Sequence, residues 1–339
     1  MSVPPSRAPV LIAGGTGFVG RPLLEAWRAR GFPLRILSRR REPSLPPGVE
    51  SWTADLRSDL PPAKAFEGVR LAYYLVHSLG RGTEEGFAAA DRRAADNFAA
   101  AASRAGLERI IYLGGLGEGE DSRSAHLRSR AEVADRLKRS GAAVTVLRSG
   151  VVLGNGGSSF EMLVQLVERL PVMVCPRWVS LNTQPISRTD LVTYLLRAGE
   201  ESSVAGLTLD VGGPEVVPYW RLMQMVGDLL GRRPWIVLVP WLSPSLSSHW
   251  VGLITRVPSS LARPLVDGLY EEAVCRDRRA ESLLPFSREP LESTLRREIG
   301  QRLPAGRRPG PVAPGRQRLL MLPGIPSSPS PSPPQSDRP

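Results

Sequence analysis

The sequence predicts an α/β chain built on a doubly wound parallel sheet, with a smaller C-terminal α/β lobe and a disordered tail. Three observations carry this reading. Segments that read as strands at residues 10–13, 34–37, 49–56, 69–76, 109–113 and 144–148 alternate with segments of helical periodicity, the pattern of repeated βαβ units. The first run leads directly into glycines at positions 14, 17 and 20. From Leu303 onward the composition turns to proline, serine and arginine.

The stretch Val10-Leu-Ile-Ala-Gly-Gly-Thr-Gly-Phe-Val-Gly20 reads as strand, tight turn and helix. Glycine is needed for the turn, for approach of the backbone to a pyrophosphate, and for close packing of helix on strand. Free amides at the helix start then face the phosphates, which is the dinucleotide-binding turn of a Rossmann-type fold. Leu23, Leu24 and Trp27 continue the helical spacing from Val19, and Gly31 closes the helix as a C-cap. The second run ends in Ser38-Arg39-Arg40-Arg41, about 20 residues beyond the glycines, where an NAD-specific fold places an acid for the ribose hydroxyl. An acid there repels a 2′-phosphate, whereas Arg39 or Arg40 pairs with it bidentately. This favours NADP(H) over NAD(H); a solvated arginine loop is the other reading.

The third run carries Asp55 near its end, and the fourth enters His77-Ser78. Thr83 is placed to cap a long alanine-rich helix through Phe87, Ala94, Phe98 and Ala101. The fifth run is followed by Gly114-Gly-Leu-Gly117, and a helix from Ser124 to Ser140 precedes the sixth. Ligands of such sheets bind outside the strand carboxyl ends, where residues 38–41, Asp55, His77-Ser78 and the loop after Leu113 all fall. Further on, Ser158-Ser-Phe-Glu161 and Ser187-Arg-Thr-Asp190 read as capping boxes. Residues 207–211 and 235–239 read as strands and 219–230 as a helix. Between 246 and 257, Leu246, Trp250, Leu253, Ile254 and Val257 follow helical spacing, either as packed core or as a face for a protein partner or membrane surface. The expected division is a dinucleotide-binding core over about 8–155, a substrate lobe over about 156–300, and a tail over 303–339. That tail is too poor in apolar residues to offset chain entropy.

The net charge of +11 is partly a tail property, since six arginines and one acid lie beyond residue 301 and account for +5 of it. Lys64 and Lys138 are the sole lysines, so the arginine content reflects compositional bias, and no nucleic-acid-binding signature accompanies it. Cys175 and Cys275 are too few for a disulfide framework. No His, Cys and carboxylate cluster has metal-ligand spacing. With no signal core and no run of about 18 apolar residues, a cytoplasmic location is expected.

Taken with Tyr73-Tyr-Leu-Val-His77-Ser78, Tyr112-Leu-Gly-Gly115, His126-Leu-Arg-Ser-Arg130 and Thr183-Gln-Pro-Ile-Ser187, the glycine turn makes residues 8–300 resemble the atypical short-chain dehydrogenase/reductases of the NmrA-like NAD(P)H-binding type. The chain is also similar to bacterial members with an additional C-terminal domain of unknown function. Here the tail stands where those relatives continue, and any activity of that domain is expected to be missing. The resemblance implies that Gly14, Thr16, Gly17, Phe18, Val19 and Gly20 hold the pyrophosphate, and that Arg39, with Ser38 and Arg40 beside it, holds the adenosine phosphate. It implies that Asp55 and Leu56 flank adenine, and that Val76, His77, Ser78 and Val151 line the nicotinamide side.

The chemistry departs from that family. A typical member has a Tyr proton donor, a Lys four residues later and a preceding Ser; this chain has His126 and Arg130 at the same one-turn spacing, and Gly114 and Gly115 where the Ser is expected. A His with an ordinary pKa near ~6.5 donates a proton at neutral pH, whereas Arg130 holds ribose hydroxyls without shuttling protons. His126 also reads as a surface residue of an arginine-rich helix, and His77 is the second candidate acid. Tyr73, Tyr74 and Tyr112 read as buried strand side chains, and His249 as a packed one. Two functions remain open: an oxidoreductase or epimerase-like enzyme acting on a small carbonyl compound, or a non-catalytic NADPH-binding protein with a structural, assembly or redox-sensing role.

Overall fold

The computed structural model describes residues 7–42, 44–77, 84–118, 124–239, 271–314 and 318–321. The first half alternates regularly: β1 (Val10–Ala13), α1 (Gly20–Ala29), β2 (Leu34–Ser38), β3 (Val49–Thr53), β4 (Leu71–Tyr74), α2 (Glu84–Arg104), β5 (Arg109–Gly115), α3 (Ala125–Lys138) and β6 (Ala143–Ser149). The second half runs β7 (Val152–Leu153), α4 (Ser158–Arg169), β8 (Val172–Pro176), β9 (Asn182–Thr183), β10 (Ile186–Ser187), α5 (Arg188–Glu200), β11 (Thr208–Val211), β12 (Val217–Pro218), α6 (Tyr219–Leu229) and β13 (Trp235–Val239). It closes with α7 (Arg279–Leu283), α8 (Leu291–Gly300) and β14 (Leu319–Met321).

Seven parallel strands form the main sheet in the order β3-β2-β1-β4-β5-β6-β11. β1 lies at the reversal, with Val10 opposite Leu34 on one side and Leu71 on the other. This is the switch point at which such sheets bind ligands. Successive residues face opposite ways, and both faces are buried. Leu11, Ala13, Tyr74 and Ile110 pack with Ala94, Phe98 and Val133 of α2 and α3. Val10, Ile12, Ile36 and Tyr73 pack with Leu23 and Trp27 of α1 and with Leu195 of α5. The alanines of α2 let it lie close against α3. A third apolar cluster gathers α4, α6, α8 and the small parallel sheet β14-β13-β8, with Val164, Val226, Ile236, Leu295 and Ile299 at its centre.

Most expected elements are present with boundaries shifted by a few residues. The runs 49–56 and 69–76 form strands only over 49–53 and 71–74. Ser187 caps α5 as expected, its Oγ accepting the Asp190 amide at 2.9 Å. Ser158 does not cap α4. Gly157 is the N-cap, while Glu161 reaches back to the Gly156 amide at 3.0 Å and takes Arg302 at 2.7 Å.

Residues 207–211 lie in the stretch expected to form the lobe, yet β11 completes the main sheet beside β6. Residues 303–314 and 318–321, expected from the sequence to belong to the tail, make contacts with the fold. Leu303 and Val312 pack on the third cluster, the Ala313 amide donates to Asp228 at 2.9 Å, and β14 pairs with β13. Isolated apolar residues among the prolines, Leu303, Val312 and Leu319, supply these contacts. The expected Thr83 cap, Ser78, His249, the 246–257 stripe and residues 322–339 lie outside the described residues.

Candidate functional site

A cleft of about 340 Å³ opens at the carboxyl ends of β1 and β4, lined by Gly14, Gly17, Phe18, Val19, Gly20, Val76, His77, Gly114, Gly115, Arg130 and Val151 among others. Residues after β1, β4, β5 and β6 meet in this cavity, whereas those expected after β2 and β3, residues 38–41 and Asp55, do not line it. A larger hollow of about 710 Å³ lies at the opposite ends of the strands, lined by Trp27, Phe32, Arg30 and Arg70. Its Arg30 and Arg70 are paired with Glu200 and Glu108.

The glycine turn has the shape that a pyrophosphate cradle requires. Gly14 has φ +86°, a conformation that favours glycine, and its carbonyl accepts the Gly17 amide at 3.0 Å. A Cβ on Gly20 would lie 2.1 Å from the Gly14 oxygen and 2.8 Å from the Gly15 Cα, so only glycine lets α1 seat against the turn. The exposed Gly17 leaves the approach to the α1 amides open. Phe18 packs its ring against the backbone at Gly154 and Gly157, where added Cβ atoms would fall 3.0 and 2.7 Å from its Cζ, and Arg188 stacks over it at 5.0 Å. The turn thereby carries the second wall, which includes Gly156, Gly157, Ser158, Ser159 and Tyr219.

Thr16 sits in an adjoining depression with Arg21 and Glu42. At the β2 and β3 ends, Arg39 and Arg40 are exposed, and the Ser38 hydroxyl donates to the Arg40 carbonyl at 2.5 Å. Asp55 accepts the Arg57 amide at 3.1 Å and its Nε at 2.9 Å. That hydrogen-bonded guanidinium pulls the Asp55 carboxyl down to about 2, with Arg39 contributing a smaller field. The Leu56 side chain is buried in the core, and its carbonyl accepts Asn97 at 2.8 Å.

Near the expected catalytic position the structure holds a group that sequence reasoning missed. Glu118 is buried, its side chain 4% exposed, and it accepts the Arg130 Nε at 3.0 Å and the Gly115 amide. A Cβ on Gly114 would lie 2.6 Å from a Glu118 carboxylate oxygen. Glu118 therefore fills space that any side chain at 114 would need. Arg130 also donates to the Leu113 carbonyl and lies 5.6 Å from the Tyr112 ring. Burial pushes the Glu118 carboxyl up, opposed chiefly by Arg130. Arg130 stays protonated: Tyr112, Glu118 and Asp91 outweigh the opposing effect of its burial.

No spacing signal marks Glu118 in the sequence, because its role depends on Arg130 of the next helix. His126 stands in α3 one turn before Arg130; its side chain lies outside the described residues. Tyr73, Tyr74 and Tyr112 are at most 1% exposed, and burial raises all three phenols. Tyr219, which the sequence placed only as a helix start, is a buried phenol of the second wall pushed up to about 12 by desolvation. Cys175 and Cys275 are free thiols, each raised by burial to about 12. Among the described residues no metal-binding cluster occurs.

A family described as NAD(P)H-binding matches residues 14–169, the span from the glycine turn to the end of α4. A ceramide reductase of Caulobacter vibrioides is 30% identical over 240 residues, covering 69% of this chain and 74% of that protein. The mitochondrial NADH dehydrogenase [ubiquinone] 1 alpha subcomplex subunit 9 of Arabidopsis thaliana is 22% identical over 271 residues, covering 76% of this chain and 67% of that one. Among solved structures, MoeE5 in complex with UDP-glucose and NAD superposes with a TM-score of 0.64 at 18% identity, over 86% of this chain and 97% of that one.

Proposed function

The chain belongs to the NAD(P)H-binding family of oxidoreductase- and epimerase-like proteins, and from that premise we propose that it is an NmrA-like reductase using NADP(H) on a carbonyl substrate. The observation that carries the proposal is the single cleft at the sheet reversal, with the glycine turn on one side and Gly114, Gly115 and Arg130 on the other. When bound, the cofactor supplies a hydride. The amides following Gly17 bind its pyrophosphate. Arg39, with Ser38 and Arg40, binds the adenosine 2′-phosphate, and Asp55 flanks the adenine with its charge offset by Arg57. Val76, His77 and Val151 orient the nicotinamide half.

Arg130 takes the place of the family's lysine. Held by Glu118 and Leu113, it presents a fixed cation to the ribose hydroxyls and moves no proton. His126, one turn before Arg130 on α3, would give its proton to the carbonyl oxygen. Support for a reductase over other chemistries comes from the relative named ceramide reductase.

A titration with NADPH and NADH tests the cofactor assignment. Arg39→Ala weakens NADPH by about 1.5–3 kcal/mol, the scale of a hydrogen bond to a charged group, and leaves NADH nearly unchanged; equal losses overturn the 2′-phosphate role. Turnover across a panel of carbonyl compounds, abolished in His126→Ala, tests the enzyme.

A second reading rests on the replacement of the family's Ser and Tyr and on the engagement of Arg130 by Glu118: a non-catalytic NADPH-holding subunit, as the resemblance to an NADH dehydrogenase subunit suggests. Recovery of a stable complex, with NADPH bound and no oxidation on any substrate, decides for it.

A further inference from the structure

The small sheet β14-β13-β8 is apolar on both faces. Met173, Cys175, Ile236 and Leu238 point into the third core cluster. The alternate residues Val172, Val174, Trp235, Val237 and Leu320 form the other face, where a sheet open to water on one side carries polar residues. The register sets Val174, Val237 and Leu320 side by side across the three strands, with Trp235 beside Val172. Val172, Val174, Trp235 and Leu320 are 41–49% exposed, and they are four of the six exposed large hydrophobic side chains among the described residues. Such clustering marks an interaction surface, since scattered exposed apolar residues are ordinary.

The charge around this face narrows the partner. All three strands run parallel, so their starts lie at one end, tied by the Trp235 amide on Pro171 and the Ile236 amide on Arg318. Each strand is entered from arginine: Arg169 before β8, Arg232 and Arg233 before β13, and Arg318 before β14. Arg221 joins Arg233 and Arg318 around Asp228. Four guanidinium groups thus stand at the strand entries of this end against the carboxylates of Glu168 and Asp228, the latter paired with Arg233 at 3.6 Å, and Arg318 lies 5.5 Å over the Trp235 ring. An apolar patch with an interfacial tryptophan and a cationic rim matches the layered chemistry of an anionic bilayer, acyl chains beside headgroup phosphates.

We propose that this sheet face docks the protein on the surface of an anionic lipid membrane, with Val172, Val174, Trp235, Val237 and Leu320 against the acyl boundary and the arginine rim on the phosphates. Docking is peripheral; among the described residues no helix is long and apolar enough to cross a membrane. The inference is independent of the cofactor and of catalysis.

Co-sedimentation of the full chain with vesicles tests it. Equimolar phosphatidylglycerol and phosphatidylcholine vesicles pellet the protein, pure phosphatidylcholine vesicles do so far less, and salt weakens binding. Arg232→Gln/Arg233→Gln/Arg318→Gln lowers the partition coefficient about a hundredfold, from about fivefold per arginine. Arg28→Gln/Arg70→Gln/Arg139→Gln removes the same charge elsewhere and changes it less than about threefold. Val174→Ser/Leu320→Ser lowers it at least tenfold with Tm and NADPH affinity retained. Equal losses in the two arginine triples reduce the effect to net charge and overturn the proposal. So does a dimer that dissociates on Val174→Ser/Leu320→Ser, or a fall in Tm without loss of vesicle binding, which means that the face is covered by a second copy or by the protein's own chain.

Discussion

Replacing Arg130 with methionine isolates the buried pair beside the cleft. Met fills much of the arginine stem but leaves Glu118, 4% exposed, with the Gly115 amide as its remaining described donor. The cheapest response is for Glu118 to take up a proton, and this bounds the cost. A carboxyl with an ordinary value of 4.5, kept neutral at pH 7, costs about 1.36 kcal/mol per pH unit, or about 3.4 kcal/mol. At pH 5 the same reasoning gives about 0.7 kcal/mol. Burial already raises the folded Glu118 value, so its contribution to stability is greatest below the unfolded carboxyl range and is lost as pH rises through the folded value; without Arg130 the loss runs further up the scale. In urea unfolding, Arg130→Met loses about 2–3 kcal/mol at pH 7 and less than about 1 kcal/mol at pH 5, and adding Glu118→Gln restores most of the pH 7 deficit. An equal loss at both pH values, or no rescue by Glu118→Gln, refutes the ion pair as the element that fixes this wall.

Gly20→Ala forces a Cβ to 2.1 Å from the Gly14 oxygen, and because the clash is with backbone it costs about 1–3 kcal/mol and at least tenfold in NADPH affinity by calorimetric titration. Gly157→Ala meets the Phe18 ring at 2.7 and 2.9 Å and the Gly154 oxygen at 3.2 Å; because the close contacts are with a side chain, it costs less than Gly20→Ala, about 1–2 kcal/mol in urea unfolding. Asp55, held near 2, adds stability above its unfolded value of 3.8 that disappears as pH falls toward 2; Asp55→Asn flattens acid unfolding in that window. The size is under about 1 kcal/mol, because the pair is partly exposed and screened.

The cofactor half was legible because its information is local: Val10 to Gly20 specify strand, turn and helix from adjacent residues, and the later strand ends converge once the strand order is parallel. The residues that shape the chemistry were not. Glu118 acquires its role from a missing Cβ at Gly114 and from Arg130 on the next helix, a relation that no spacing rule encodes. β11 reads like any short strand, and its place beside β6 depends on α5 packing against the far face of the sheet. β14 was hidden by proline-rich surroundings, since three residues show no period. The second wall escaped notice because its residues are far apart in sequence: Ser158, Ser159 and Tyr219 line one cavity with Phe18 only in the folded chain.

A crystal structure of the protein grown with NADPH tests the central claim most directly. The account predicts pyrophosphate density over the amides following Gly17, the 2′-phosphate within hydrogen-bond reach of Arg39, and the nicotinamide between Val76 and Arg130. NADPH bound elsewhere, for instance in the hollow beside Trp27 and Arg70, or a cleft that stays empty at saturating NADPH, contradicts it.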